Sequence, residues 1–205
     1  MARTRATDFR QKQQAILSSA AAVLAEHGID RASMAQIAAQ AGVSKALLYH
    51  YYPGRDALVF AIIRDHLRRL DAAIAAARAP GRDPEAQLGA LIGAVLEIYR
   101  DADNEHQVQL GGTAGLGDDQ RAEIQALERR IVRRFASVLR AVNPALDAAP
   151  RPLLMPVTMS LFGMMNWAYM WFRDDGPLSR HDYAALMTRL VLDGARTLPA
   201  GLRSS

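Results

Sequence analysis

The sequence predicts an all-α fold, and three observations lead to that prediction. Almost every segment repeats its apolar residues at steps of three and four, the period of one face of a helix. A glycine, a proline or a capping residue stands at most segment ends. No segment alternates apolar and polar residues in the manner of a half-buried strand. Hydrophobic residues make up 50% of the 205 residues, which is enough for a globular core.

The composition also limits the class of protein. The chain has no cysteine, so disulfides and thiolate metal sites are excluded. The first ten residues are polar and basic and lack the apolar core of a secretory signal. We therefore expect a cytoplasmic protein.

The first 55 residues predict three helices. An apolar stripe runs from Phe9 to Leu24, and Gly28 ends that helix. Ser33 and the glutamine three residues later form a capping box that opens a short second helix, which ends at Gly42. Ser44 can cap a third helix over residues 45–52, after which a Pro-Gly pair breaks the chain.

The remaining residues predict a larger helical body. Asp56 is expected to cap a long helix that reaches about Arg78. Residues 79–84 predict a boundary, because Asp83 can cap a new helix with proline at its first position. Residues 101–117 are polar and glycine-rich and form either a loop or a short, mobile helix. An amphipathic helix then runs from Ile124 to Val142, and the last helix starts at Ser179.

Residues 152–172 contain no charged side chain over a length that can span a bilayer. Two interpretations are open. Proline, threonine, serine, asparagine and several small residues dilute the hydrophobicity, which favours a buried helix at the centre of a bundle or a dimer interface. The alternative is a membrane-associated helical protein that does not bind DNA.

The net positive charge lies in the first quarter of the chain. Residues 1–55 contain seven basic and three acidic side chains, so they carry the whole formal charge of +4, and the remainder is balanced. A basic end on a neutral body is typical of a module that binds a polyanion. We therefore expect residues 1–55 to form a module that binds nucleic acid.

The second and third helices, joined by residues 41–44, have the spacing of a helix-turn-helix. The second of these helices would lie in the major groove and present its N-terminal side chains to base edges. Tyr52 is expected in the core. The candidate DNA contacts are Lys45, Ala46 and Tyr49 toward bases and His50, Tyr51 and Arg55 toward phosphates, together with Ser44 at the start of the helix.

Residues 33–58, SMAQIAAQAGVSKALLYHYYPGRDAL, resemble the DNA-binding region of the tetracycline-repressor (TetR/AcrR) family, and the resemblance covers about residues 9–62. It implies a homodimer with a three-helix DNA-binding domain, 1–55, and an effector-binding and dimerisation domain, 56–205, whose last two helices build the dimer interface. It also implies phosphate contacts for Tyr49 and Arg55, whereas Leu47 replaces a threonine that often makes one. Arg3 and Arg5 form either a minor-groove arm or a solvated tail.

A methionine-rich and aromatic segment, 155–172, suits a large apolar or aromatic ligand, or alternatively a plain core and dimer interface. The candidate ligand contacts are the apolar Tyr99, Met159, Phe162, Met165 and Trp167 and the polar His106, Gln109 and Asn166. Residues 101–117 would then act as a gate. The arginines between Arg129 and Arg134 form either a solvated face or a clamp for an anionic effector, such as the phosphates of a coenzyme A thioester.

No catalytic constellation is apparent in the sequence. The five histidines form no metal-ligand motif, and the glycine-rich run at 111–117 has no preceding strand, so neither an enzyme nor a cofactor is expected. The prediction is a ligand-responsive repressor that binds an inverted-repeat operator as a homodimer and is released by a small effector.

Overall fold

The computed structural model describes residues 2–148 and 152–201, with side chains for 11–148 and 152–198. The described residues form nine α-helices and no strand, which confirms the predicted all-α fold. The helices are α1 Ala2–His27, α2 Met34–Gln40, α3 Lys45–Tyr51, α4 Arg55–Ala77, α5 Pro84–Tyr99, α6 Asp103–Gly111, α7 Asp118–Val142, α8 Leu154–Trp167 and α9 Arg180–Gly201. Short 3₁₀ turns follow α6, α7 and α8.

The chain folds as two compact units. The first unit contains Met1–Leu67 and Ala102–Gln125. In it α1 packs against α2, α2 packs against α3, and α6 lies along α1. Its core is aliphatic, because the apolar stripes of these helices turn inward, and it includes Ile16, Leu24, Ile37, Leu48, Leu58 and Ile62.

The segment 101–117, for which a loop and a helix were both open, contains α6 and a 3₁₀ turn, Gly112–Gly115. The end of α6 packs very closely on its neighbours. A Cβ atom on Gly112 would lie 2.8 Å from Val59 Cγ1 and 3.2 Å from Ile63 Cδ1. The Cδ1 atom of Ile29 would also lie close to this added Cβ atom. Glycine is therefore needed here for space, since its φ is ordinary at −91°.

The second unit contains Arg68–Asp101 and Ala126–Ser205. Its main contact is between α5 and α9, and α8 packs against both. Phe135 and Phe162 meet edge to face, with ring centroids 5.1 Å apart. Arg180 fixes the start of α9, because it donates to the Leu96 carbonyl oxygen and forms a bidentate pair with Asp174.

One helix-start prediction was wrong. Asp56 does not cap α4, since the helix begins one residue earlier, at Arg55. The boundary predicted at 79–84 is confirmed as a helix boundary, because Asp83 caps α5 and Pro84 stands at its first position. The division between the two compact units falls inside α4, after Leu67. The functional division into 1–55 and 56–205 stays a prediction.

The uncharged segment 152–172 forms α8, which has 14 residues, followed by a 3₁₀ turn. No helix in the described part of the chain has both the length and the apolar character needed to cross a membrane. Only one side of α8 is buried. The buried residues are Leu154, Thr158, Leu161, Phe162 and Met165.

Candidate nucleic-acid interface and effector site

The turn between α2 and α3 is held by local hydrogen bonds. Ser33 and Gln36 form the predicted capping box at the start of α2. Gly42 adopts a φ of +63°, which glycine tolerates without strain, and the amide of Val43 bonds back to the Ala38 carbonyl at 3.0 Å. Ser44 Oγ accepts a hydrogen bond from the Leu47 amide at 3.1 Å and so fixes the start of α3.

The two sides of α3 differ sharply in exposure. Leu48 is fully buried and Tyr52, just after the helix, is 5% exposed, so both anchor the helix to the first unit. The prediction that Tyr52 is a core residue is confirmed. Tyr49 is 50% exposed on the other side. Lys45, Ala46 and His50 are also exposed, and Tyr51 is half-buried.

Two of the predicted DNA contacts already have structural partners. Ser44 uses its hydroxyl oxygen as the cap of α3. Arg55 is half-buried, donates to the backbone carbonyl of Asp30 and lies 3.6 Å from its carboxylate. Asp30 was not expected to take part. Its link to Arg55 ties the start of α4 to the loop that follows α1. The side chains of Arg3 and Arg5 lie outside the described residues.

In the second unit, four of the predicted ligand contacts lie on or beside the buried side of α8. The Tyr99 hydroxyl donates a hydrogen bond of 2.9 Å to Asn166 Oδ1. Burial raises the pKa of Tyr99 far above its usual value, because the phenolate would be desolvated. Phe162 and Met165 are buried on the same helix as Asn166. The group is an apolar interior with one polar pair.

Met159 and Trp167 do not belong to this group. They are 51% and 61% exposed, respectively, whereas Phe162 and Met165 are buried. The expectation that they line a pocket with the buried residues is therefore not supported within the protomer.

The other two predicted ligand contacts, on α6, lie in the first unit. His106 is buried at 1% exposure, and its ring centroid is 5.9 Å from that of His66, which is fully buried on α4. Gln109 is half-buried, and its Oε1 atom makes no hydrogen bond with any described residue. Sequence reasoning missed His66. Its position four residues after Ile62 and four before Leu70 on the buried stripe is the signal that places it inside.

Comparison with known families agrees with this architecture. Residues 16–62 match the model described as bacterial regulatory proteins, tetR family. Residues 81–195, more than half of the chain, match the tetracyclin repressor-like C-terminal domain. The chain belongs to the TetR family. The family consists of transcription regulators rather than enzymes, and the matched N-terminal region is its helix-turn-helix.

Matches to similar proteins cover different fractions of this TetR-family chain. The HTH-type transcriptional regulator BetI 2 of Chromohalobacter salexigens is 36% identical over 83 residues, which are 40% of each chain. The chain thus spans about two fifths of the length of the curated relatives it first matches.

Solved structures match over a longer range. A TetR-family transcriptional regulator from Bordetella parapertussis is 30% identical, with a TM-score of 0.80, and the match covers 93% of this chain and 96% of that one. The structure of AibR in complex with isovaleryl coenzyme A and operator DNA is 26% identical, with a TM-score of 0.74 and coverage of 87% and 97%.

Proposed function

We propose that this TetR-family protein is a ligand-responsive repressor that works in the cytoplasm, binds an inverted-repeat operator as a homodimer and leaves it when a small effector binds. The observation that carries the proposal is the exposure of one side of α3, where Lys45, Ala46 and Tyr49 are exposed while Leu48 is buried. A recognition helix needs a free N-terminal side of this kind to enter the major groove.

The proposed DNA contacts fall into two sets. Lys45 reads base edges, since an ammonium can donate to guanine O6 and N7, and Ala46 can meet a thymine methyl group. Tyr49, His50 and Tyr51 contact the sugar-phosphate backbone and set the register. Ser44 and Arg55 belong to this second set. On DNA binding, a contact with a phosphate replaces part of the interaction between Arg55 and Asp30. Arg3 and Arg5 add a basic arm.

Exposed apolar residues on α8 and α9 support the proposed homodimer. On α9 Leu186 and Leu190 are 47% and 58% exposed and stand one helical turn apart. On α8 Met155, Met159 and Trp167 are exposed at steps of four or eight residues, so they lie on one side of that helix. Apolar surface of this extent is stabilised by association with a second copy.

The proposed effector is a small apolar or aromatic molecule, with an acyl-CoA thioester as the first class to test. Tyr99 and Asn166 would orient it, and Phe162 and Met165 would contact its apolar part. AibR, a similar protein, is described in complex with isovaleryl coenzyme A and operator DNA.

Selection of genomic DNA fragments by the purified protein tests this proposal. We expect retained fragments to share an inverted repeat, because a two-fold dimer presents two equal recognition helices. Addition of acyl-CoA thioesters and of aromatic acids to the complex then identifies the class that releases the DNA. Retention of DNA fragments that share no sequence would contradict the proposal. A sequence-specific complex of one protein chain with one unrepeated DNA site would also contradict it.

A further inference from the structure

The second unit contains a basic groove, defined here by Arg78, Arg82, Gln87, Arg134 and Ser137. It lies beside the turn between α4 and α5, with α7 as its other wall, and encloses about 590 Å³. Ligand pockets for small molecules range from about 300 to 1,000 Å³, so the basic groove has room for a small organic ligand.

The charge of the basic groove is one-sided. Three arginines line it, and none of its described lining residues is acidic. Two carboxylates on the elements that form the groove already have partners. Asp71 pairs with Arg134 at 2.9 Å and with Arg130 at 3.5 Å, and Asp83 accepts two backbone amides at the start of α5.

The arginines keep donors available for a ligand. Arg78 and Arg82 form no ion pair with any residue of the described part of the chain, and both are exposed. Arg134 donates to Asp71 through Nε, and its two terminal nitrogens make no hydrogen bond with any described residue. Guanidinium groups on both walls can therefore donate toward the same volume.

The wall that carries Arg78 and Arg82 is held in place. Gln87 is 7% exposed and clamps the turn, since its Oε1 accepts from the Ala79 amide at 3.0 Å and its Nε2 donates to the Ala77 carbonyl at 3.1 Å. Arg82 donates to the same carbonyl. A fixed wall lowers the ordering cost of binding.

We propose that the basic groove binds a phosphate-bearing small molecule, at a site separate from the Tyr99 and Asn166 pair. Guanidinium groups recognise phosphate by paired, charge-assisted hydrogen bonds, and Arg78 and Arg82, which pair with no described carboxylate, favour an anionic ligand. Arg134 adds the terminal nitrogens that its bond to Asp71 does not use. Of the arginines at 129–134, only Arg134 lines the groove, so that sequence cluster does not form the clamp by itself.

Calorimetric titration of the full chain with inorganic pyrophosphate at low salt tests the site. We expect saturable binding that is weakened by roughly tenfold or more in the double variant Arg78→Gln/Arg82→Gln, since two of three charged donors are lost. The matched control is Arg100→Gln/Arg189→Gln, which removes the same charge from a groove between α5 and α9 that also contains Glu85 and Glu97. The control should bind pyrophosphate like the parent protein.

A second arm uses coenzyme A in place of pyrophosphate. Tighter binding of coenzyme A that is lost in Arg78→Gln/Arg82→Gln assigns the site to phosphates on a nucleotide, and equal binding of both probes assigns it to the phosphate groups alone. Equal weakening by the two double variants would overturn the proposal, because binding would then follow net charge only. Absence of saturable binding to the parent protein would also overturn it.

Operator binding is measured on the same variants, so failure of this site and failure of the proposed function are distinguishable. We expect Arg78→Gln/Arg82→Gln to retain the parent protein's affinity for selected DNA in the absence of added phosphates. If this variant instead lost DNA affinity together with pyrophosphate binding, the basic groove would be a DNA-contacting surface and the small-molecule site would be wrong.

Discussion

The hydroxyl of Tyr99, on α5, donates a hydrogen bond of 2.9 Å to the side-chain carbonyl of Asn166, on α8. The bond joins two helices of the second unit, and burial keeps the tyrosine protonated by raising its pKa. The contact therefore fixes the side-chain orientation of Asn166 and gives the interior of the second unit a defined polar point.

Removal of this bond should destabilise the protein. Tyr99→Phe leaves the Asn166 carbonyl oxygen without that donor, so we expect a loss of about 1–3 kcal/mol in the free energy of unfolding, measured with urea. Asn166→Leu in the Tyr99→Phe background should cost less than it does alone, because the two residues interact. Strictly additive losses would show that the bond contributes nothing.

The raised pKa of Tyr99 also predicts a dependence on pH. Because the pKa of Tyr99 is higher in the folded than in the unfolded protein, its full contribution to the free energy of unfolding is present below the unfolded pKa of about 10. That contribution declines as the pH rises above this value. Tyr99→Phe should therefore lose less stability than the parent protein when urea unfolding is repeated at increasing alkaline pH. An identical decline in both proteins would assign the effect to other groups.

Close packing at the end of α6 gives a second stability prediction. Gly112→Ala places a Cβ atom 2.8 Å from Val59 Cγ1, so we expect a cost of about 1–3 kcal/mol. Gly93→Ala is the matched control, because no atom lies within 4 Å of its added Cβ and alanine favours helix by about 1 kcal/mol. Val59→Ala should partly restore the stability of Gly112→Ala. Equal urea midpoints for the two glycine variants would contradict the steric explanation.

The proposed dimer face can be tested by charge. Leu186→Glu/Leu190→Glu introduces two carboxylates into an apolar surface, so sedimentation should show a shift from dimer toward monomer. Because both leucines are exposed in the protomer, we expect the monomeric variant to stay folded, and its melting temperature checks this. Leu110→Glu, at a leucine that is 48% exposed on α6, is the matched control and should leave association unchanged. A parent protein that sediments as a monomer would contradict the proposal outright.

The two proposed classes of DNA contact should separate by mutation. Lys45→Ala should cost roughly 1–3 kcal/mol in binding to the selected operator and relax the sequence preference at one position of each half-site. Arg55→Ala should weaken binding to all sequences alike and lower the dependence on salt, because it removes a phosphate contact. An unchanged sequence preference in Lys45→Ala would contradict base reading by this residue.

Local chemistry explains why much of the head could be predicted from the sequence. The caps formed by Ser33, Ser44 and Ser179 each use partners three residues away, so the residues that start a helix are adjacent in the chain. The positive φ of Gly28 and Gly42 likewise marks turns that a local signal predicts. The spacing of apolar residues then decides which side of each helix is buried.

The residues of the candidate effector site could not be assigned from the sequence alone, because tertiary structure decides which of them are buried. The sequence grouped Met159 and Trp167 with Phe162 and Met165 because all are apolar and close in the chain, yet the first two are exposed and the last two are buried. The type of a residue indicates how strongly burial of its side chain stabilises the fold. The packing of α5 and α9 against α8 decides which of its side chains are buried.

By itself, the sequence determined the all-α class, most helix ends and the helix-turn-helix with its exposed Lys45 and Tyr49. Only the tertiary structure decided that His66 faces His106, that Asp71 pairs with Arg130 and Arg134, and that Arg78 joins Arg134 around one groove. The physical reason is distance along the chain. Caps and stripes arise from neighbours within a few residues, whereas these contacts join residues 40 to 63 positions apart, whose meeting depends on how whole helices pack.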